Sequence, residues 1–415
     1  MIFELKPKSL GITKEQVWKA WKRIKQGGKG VGVDNVTIEM VEKNPRKYLY
    51  PVWNRLASGS YFPPVVRQVS IPKPNGKERY LGIPTMCDRV AQEVIRAELE
   101  QELEPHFHPG SYGYRPGKSA HQALKACAKN CWERWFVVDL DIKGFFDNID
   151  HAKMMEILRK YTSKKHILLY CERWLKAPVL KINGELDTDR RKGMPQGGVI
   201  SPLLANLYLH EVFDSWMEHR HSIMVFERYA DDIVIHTRSI EQSEFILDKL
   251  RIRLKQYGLS VNEEKTQIVY CYRTARFYKA PKEIPVSFDF LGFTFKPRLC
   301  KRGDGELFWG FRPAVSSKNL RRMNTELKRI HRYVYLSIQE LAAILAPRLR
   351  GWIMYYGHTR KSGLTWLFER LNERLAKWVK NKYKIRSKRK CFAWVRRISK
   401  SFPSMFVHWE YGWLP

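Results

Sequence analysis

Two adjacent carboxylates, Asp231 and Asp232, follow Tyr229-Ala230 between two short apolar runs, Met224-Val225-Phe226 and Ile233-Val234-Ile235. An apolar run, a short break and a second apolar run predict strand, tight turn, strand. The hairpin carries both aspartates to its tip, where their charges repel and a divalent cation or a basic partner would stabilise them. Paired aspartates are also ordinary turn residues, because their side chains hydrogen-bond nearby backbone. A second acidic segment weighs against that plainer reading. In Trp135-Phe136-Val137-Val138-Asp139-Leu140-Asp141-Ile142, apolar residues on both sides of Asp141 predict a buried strand that delivers one carboxylate at its end. Two nearby strands presenting three carboxylates would form an oxygen-rich site able to hold two magnesium ions for phosphoryl or nucleotidyl transfer. Asp139 is a rival to Asp141, since two residues upstream on a strand puts it on the same face. Asp147 and Asp150 read as surface or capping residues, and His151 and His210 as structural.

The charge balance narrows the partners. The 415 residues hold 75 Lys and Arg against 42 Asp and Glu, a formal charge of +33. Self-repulsion on that scale favours a polyanionic partner, with nucleic acid ahead of an anionic membrane surface. No apolar run approaches the roughly 18 residues that span a bilayer, and Met1-Ile2-Phe3-Glu4-Leu5-Lys6 lacks a secretory core, so no membrane association is expected. The seven cysteines are dispersed, without a Cys-x-x-Cys pair, which fits a reducing cytoplasm. Cys127 and Cys131, four apart on an expected helix, read as buried thiols rather than metal ligands.

Length predicts two or three units in an α+β layout. Residues 1–60 read as helices broken by the glycine-rich loop Gly27-Gly28-Lys29-Gly30-Val31-Gly32-Val33-Asp34, which lacks the Gly-Lys-Ser/Thr ending of a P-loop. Residues 61–85 read as strands around a turn at Pro74-Asn75-Gly76, and residues 133–300 alternate short strands with helices. Helices are expected over 317–332 and over 337–356, the second interrupted at Pro347. Leu364, Leu367, Leu371, Leu375 and Trp378 recur at helical spacing, with Arg370, Arg374 and Lys377 on another face. Residues 381–400 contain nine basic residues and no acidic one, among them Lys388, Arg389, Lys390, Arg396 and Arg397. Phe392, Trp394 and Trp409 fall among or after these charges, a combination suited to phosphate contact with base stacking.

Several segments occur in one order along the chain. These are Arg67-Gln68-Val69-Ser70-Ile71-Pro72-Lys73-Pro74-Asn75-Gly76-Lys77 with Arg79 and Leu81-Gly82-Ile83-Pro84, then Gly113-Tyr114-Arg115-Pro116-Gly117 and the Asp141 strand. Gly193-Met194-Pro195-Gln196-Gly197-Gly198 with Ser201-Pro202-Leu203-Leu204-Ala205-Asn206, the Tyr-Ala-Asp-Asp turn, Glu264-Lys265-Thr266 and Phe290-Leu291-Gly292-Phe293 follow, and later Gly351-Trp352-Ile353-Met354-Tyr355-Tyr356. In this order they resemble the reverse transcriptases encoded by bacterial group II introns, of the type without a C-terminal His-Asn-His endonuclease domain.

The resemblance implies a right-hand polymerase of fingers and palm followed by an α-helical thumb, which is also the maturase domain. Its expected divisions are an N-terminal extension to 60, fingers and palm over 61–300, thumb over 301–380 and a basic nucleic-acid-binding segment over 381–415. It implies that Asp141, Asp231 and Asp232, with the Ile142 carbonyl, hold two Mg2+ ions, and it favours Asp141 over Asp139 because a bulky gate, Phe146, follows five residues later. It implies that Arg67, Lys73 and Arg79 grip a deoxynucleoside triphosphate; their spacing of six would keep them on one face of an unbroken extended chain. By the same resemblance Gln196 lines the nucleotide pocket and Lys265 lies near the leaving pyrophosphate.

The implied activity is RNA-directed DNA synthesis, together with binding of intron RNA as a maturase in splicing and retrohoming. The implied partners are an intron RNA template, a DNA or RNA primer and target DNA. A monomer and a homodimer both stay open. Two alternatives also stay open: an RNA-binding splicing cofactor without catalysis, and a related reverse transcriptase recruited to host DNA repair or phage defence.

Overall fold

The segments 66–72 and 78–83 pair as antiparallel strands, each supplying a ladder of backbone bonds to the other. The computed structural model describes residues 9–28, 30–72, 78–271, 283–301 and 303–415. Its strands are β1 (Val66–Pro72), β2 (Glu78–Ile83), β3 (Phe136–Asp141), β4 (Val179–Leu180), β5 (Leu186–Asp187) and β6 (Val225–Tyr229). They continue as β7 (Asp232–Thr237), β8 (Gln267–Tyr270), β9 (Phe288–Phe290), β10 (Phe293–Lys301) and β11 (Leu307–Val315). Among the described residues they form three sheets, ordered β2-β1-β4-β5, β6-β7-β3-β8 and β11-β10-β9. Helices occupy most of the remaining chain, and the α+β expectation matches this mixture.

The chain divides into two units. The first comprises Met1–Ala123, Leu140–Ile235 and Glu241–Gln267, and the second Leu124–Asp139, His236–Ile240 and Ile268–Pro415. In the first, the helix Met86–Leu103 is buried along most of its length. Its Asp88 accepts hydrogen bonds from Tyr61 (2.8 Å), Trp174 (2.9 Å) and Gln92 (2.9 Å). Burial raises the Asp88 carboxyl above its ordinary range, with these donors acting in the opposite direction. The neighbouring Arg89 donates to the carbonyls of Gly28 (3.1 Å) and Gly30. Carbonyls of the glycine-rich loop are therefore committed to a protein cation.

In the second unit the apolar stripe read from the sequence is the core. Leu367, Phe368, Leu371, Leu375 and Trp378 of helix Thr365–Tyr383 are buried, with Leu364 in the 3-10 turn just before it. Burying five such side chains stabilises the unit by about 1.5–3 kcal/mol each before chain entropy is counted. Two helix expectations need correction. The first helix covers Ser317–Glu326, and Ile330–Arg332 forms a separate 3-10 turn. Leu327 and Ile330 are both buried, and a spacing of three brings side chains into line in a 3-10 turn rather than in an α-helix. The second helix, Ile338–Tyr356, runs through Pro347 without interruption. Pro347 and Ala343, four residues before it, are both exposed, so water can serve the carbonyl that loses its donor. The packed stripe Leu341, Leu345, Leu349 and Ile353 offsets the cost, about 3 kcal/mol.

The last residues of that helix meet the Phe290-Leu291-Gly292-Phe293 turn. Tyr355 donates to the Leu291 carbonyl at 3.0 Å, and the Phe293 ring lies 5.5 Å from Tyr355 and 5.2 Å from Tyr356. The Gly292 carbonyl accepts from the Ser316 amide (3.1 Å) and from Asn319 (3.0 Å). Two segments read separately in the sequence thus form one docking contact.

Candidate active site

The paired aspartates sit where a strained turn places them. β6 ends at Tyr229, β7 begins at Asp232, and Ala230 takes a positive φ of 58°. Two-residue hairpins use this sign to follow the twist of their strands, but in a non-glycine residue it costs on the order of 1 kcal/mol. Asp231 is exposed and Asp232 half-buried. Behind the turn Arg228 is fully buried; it bonds both oxygens of the equally buried Asp214 at 2.7 and 2.5 Å. The same guanidinium donates to the Ala230 carbonyl (3.1 Å) and to Asn206 (3.0 Å), and Asn206 donates to the Gly113 carbonyl (2.6 Å). Gly113 must be glycine: a Cβ there would lie 2.4 Å from the Ala230 nitrogen. Burial alone would raise the Asp214 carboxyl, but Arg228 outweighs it and holds the group below its ordinary range. Asp214 is delivered by a π-helical turn, His210–Asp214, between two α-helical stretches.

Asp141 ends β3, the strand next to β7 in the sheet. Its carboxylate is held from the segment 262–266. Asn262 donates to one oxygen at 2.9 Å, Lys265 donates to the other at 2.8 Å, and the Asp141 amide donates to the Thr266 hydroxyl at 3.2 Å. The turn that brings these groups together is closed by amides of Lys265 and Thr266 on the Asn262 carbonyl. Next along the chain, Ile142 faces Val261 across an antiparallel bridge, flanked by the bonds Asn262 N–H to Asp141 O and Lys143 N–H to Ser260 O. In that pattern the Ile142 carbonyl points away from Val261. Asp139 is half-buried on the same strand face as Asp141, as its spacing predicts. Carboxylates and a carbonyl are an all-oxygen donor set suited to a hard divalent cation, and the Lys265 ammonium already stands as a cation on Asp141.

The expected nucleotide-binding residues fall as follows. Arg67 and Arg79 lie on one face of the β1–β2 hairpin, because the register sets Arg67 opposite Ile83 and Arg79 opposite Ile71. The shared face comes from pairing of two strands rather than from one extended run, and it sets the two guanidinium groups about 13 Å apart along the strand direction. Lys73, with the Pro74-Asn75-Gly76 turn, lies outside the described residues. Arg79 donates to the Gln196 side chain at 2.8 Å, joining two candidates distant in sequence. The segment around Gln196 is fixed backbone to backbone: Gly82 N–H donates to the Gln196 carbonyl at 3.0 Å. Gly197, at φ 136°, leaves no room for a Cβ, which would lie 2.4 Å from the Gly82 carbonyl oxygen. Phe146 is half-buried, and its carbonyl accepts from the Met194 amide at 2.8 Å. Phe145 beside it is the core aromatic. Asp150 caps the helix His151–Tyr161, Asp147 is exposed, and His151 bonds the Gly193 carbonyl at 2.7 Å.

The basic segment forms the helix Lys388–Ser401, capped by Ser387. Lys388, Arg389, Lys390, Arg396 and Arg397 are all exposed. The expected stacking aromatics need correction. Trp409 is 2% exposed and donates to Asn372 at 3.0 Å. Trp394 is half-buried against Tyr383 (5.4 Å) and Trp378 (6.4 Å). Trp394 thus packs the helix against Thr365–Tyr383, and Trp409 is bound to Asn372 of that same neighbour. The groups not anticipated from the sequence are Arg228, Asp214, Asn262 and Thr266. For Arg228 a signal existed: a charged residue inside the apolar strand Val225–Tyr229 requires a buried partner.

A family model described as reverse transcriptase (RNA-dependent DNA polymerase) matches residues 71–295, more than half of the chain. The chain belongs to the reverse transcriptase family. A second model, the group II intron maturase-specific domain, matches residues 320–395. Over 250 residues, 60% of this chain and 40% of the relative, it is 33% identical to the group II intron-encoded protein LtrA of Lactococcus lactis subsp. cremoris. It is 36% identical over 288 residues to protein YkfC of Escherichia coli (strain K12), covering 59% of the chain and 74% of that protein. It is 26% identical over 361 residues to an uncharacterized 91 kDa protein in the cob intron of Schizosaccharomyces pombe, covering 72% of the chain and 44% of that protein. The chain thus spans about 40% of the length of LtrA. Reverse transcriptase domains carry out nucleotidyl transfer, generally with a divalent metal and deoxynucleoside triphosphates. Among the described residues no helix is long and apolar enough to cross a membrane.

Proposed function

We propose that this chain is a magnesium-dependent RNA-directed DNA polymerase that also binds a group II intron RNA as its maturase, copying RNA into cDNA during retrohoming. The observation that carries the reading is the emergence of Asp141 and the Asp231-Asp232 pair from adjacent strands, β3 and β7, within a chain matched by both family models. Asp141, Asp231 and Asp232, with the Ile142 carbonyl, would hold two Mg2+ ions, which when bound lower the pKa of a primer 3′-hydroxyl and neutralise the leaving pyrophosphate. Arg67 and Arg79 supply guanidinium donors to the triphosphate, with Lys73 as the third cation. Gln196, tied to Arg79, lines the nucleotide pocket, and Lys265 is the cation on the pyrophosphate side. Phe146 excludes a ribose 2′-hydroxyl. Its partners are the intron RNA as template, a DNA or RNA primer and target DNA, in a reducing cytoplasm that suits seven cysteines outside disulfides.

The test separates chemistry from binding. Asp231→Asn should abolish primer extension on an RNA template while leaving RNA affinity within about twofold, because basic residues supply the binding. Asp141→Asn should do the same, whereas Asp139→Asn should remain active. Near-normal cDNA synthesis by the Asp231 or Asp141 variant overturns the assignment.

A further inference from the structure

Three cysteines and a histidine converge in the second unit, none of them used by the carboxylate site. Cys127 and Cys131 lie one turn apart on the helix Ala120–Glu133, on its buried face. His236 is a fully buried residue of β7, preceded by the apolar run Ile233-Val234-Ile235. The sulfurs of Cys127 and Cys131 and a ring nitrogen of His236 all lie within 4.8 Å of one another, with 4.0 Å between Cys131 Sγ and His236 Nδ1. Cys271, just past the end of β8 and also fully buried, is a neighbour of Cys131. Its amide donates to the Trp135 carbonyl at 2.7 Å, which fixes that approach.

We propose that Cys127, Cys131, His236 and Cys271 form a structural zinc site. Tetrahedral zinc has Zn–S distances of about 2.3 Å and Zn–N distances of about 2.0–2.1 Å, so its donor atoms stand roughly 3.6–3.8 Å apart. The spacings among Cys127, Cys131 and His236 need to contract by about an ångström to reach that geometry, with Cys271 closing in as the fourth donor. Two thiols at i and i+4 point the same way from a helix, as a chelating pair must. The donors are soft sulfur and imidazole, which select zinc over magnesium. Every donor is buried, and with Cys271 as the fourth the set is closed, which marks a structural rather than a catalytic site.

The competing account is that small thiols fill space beside a packed histidine. It explains burial, but not why two donors of a helix and one of a strand come within 4.8 Å of one another. On binding, each of the three thiols forms a Zn–S bond and releases its proton to solvent, while His236 binds neutral through Nδ1 with the remaining proton on Nε2. No oxidant or reductant is required. The ion clips the helix Ala120–Glu133 to the ends of two strands, holding together segments far apart in the chain.

The test uses the full chain, expressed with zinc, purified in magnesium buffer and assayed for metal by mass spectrometry. About one zinc per chain is expected. Exchange of zinc for cobalt(II) should give the thiolate charge-transfer and tetrahedral ligand-field bands. Cys127→Ser and Cys131→Ser should each weaken zinc retention by more than the roughly 10–100-fold that loss of an outer-shell partner costs. Cys300→Ser, outside the cluster, should leave it unchanged. Cys131→His separates ligation from packing, because it restores a donor while fitting the space worse than serine; it should retain metal with an altered cobalt spectrum. Wild-type protein without zinc or thiolate–cobalt bands overturns the proposal whatever the variants do. So does zinc that persists equally in both serine variants.

Discussion

The role proposed for Phe146 is to set substrate choice without contacting a base. Its backbone is pinned through the Met194 amide, and its ring is left half-buried beside the core ring of Phe145 at 5.3 Å. A fixed aromatic excludes by volume, so Phe146→Ala should raise ribonucleotide use while leaving deoxynucleotide incorporation nearly intact. The ratio of kcat/KM for a deoxynucleotide to that for its ribonucleotide is expected to fall by about tenfold or more, since each 1.4 kcal/mol of lost exclusion is a factor of ten. An unchanged ratio would make Phe146 a packing residue. At this scale the acidic residues were legible, because carboxylates interrupting apolar strands stand out in any sequence. Their supports were not. Arg228 is bound to Asp214, fourteen residues earlier and on another element, and Asn262 and Lys265 reach Asp141 from more than a hundred residues away. Such pairings are set by tertiary placement, and no local spacing encodes them. Truncating Arg228 would leave Asp214 as a buried unpaired charge, at a cost of about 3–5 kcal/mol.

At the scale of elements, the amphipathic stripe of helix Thr365–Tyr383 was read directly, because 3.6-residue periodicity survives into the fold. The basic helix Lys388–Ser401 was read only in part. Aromatics among charges suggested stacking, whereas Trp394 and Trp409 are committed to packing and the charges alone remain exposed. Lys388, Arg389 and Lys390 occupy its first turn, where the helix dipole is positive. Replacing all three with Gln should therefore act with two signs. The free protein should gain about 0.3–1 kcal/mol per charge at low ionic strength. RNA binding should weaken, its log–log salt slope falling by roughly 0.7–0.9 per lost phosphate contact. Unchanged RNA affinity and slope would leave the run a solvated surface. His408 offers a second element-level prediction. Burial holds this imidazole neutral, its pKa lowered to about 3. Nε2 bonds Asn372 at 2.9 Å, and the ring stacks on Phe368 at 5.3 Å. The unfolded chain takes up a proton near pH 6.5 and the folded chain does not, so this stability is complete above that pH. It is lost as pH falls toward 3, by up to about 1.4 kcal/mol per pH unit. The urea midpoint of the second unit, followed by tryptophan fluorescence, should drop between pH 7 and 5, with a shallower drop in His408→Gln.

For the whole molecule, a formal charge of +33 must be carried by a chain many of whose described ion pairs are exposed. Exposed pairs contribute about 0–1 kcal/mol each, too little to balance net repulsion of that size. Buried pairs among the described residues, such as Arg228 with Asp214 and Arg96 with Glu93, are spent on holding local segments. Free protein should accordingly be limited by repulsion and RNA-bound protein by attraction, and salt should move the two in opposite directions. Raising sodium chloride from about 0.1 M to about 1 M shortens the Debye length from about 10 Å to about 3 Å. Over that range the thermal midpoint of the free protein should rise, because surface cations cease to feel one another. The midpoint of the protein saturated with RNA should begin higher and fall, because each phosphate contact gives up its advantage of counterion release as salt increases. The two curves should converge at the salt concentration where binding is lost. A free-protein midpoint that falls with salt would mean that its ion pairs outweigh its repulsion, and the inference of a polyanionic partner from net charge would then fail.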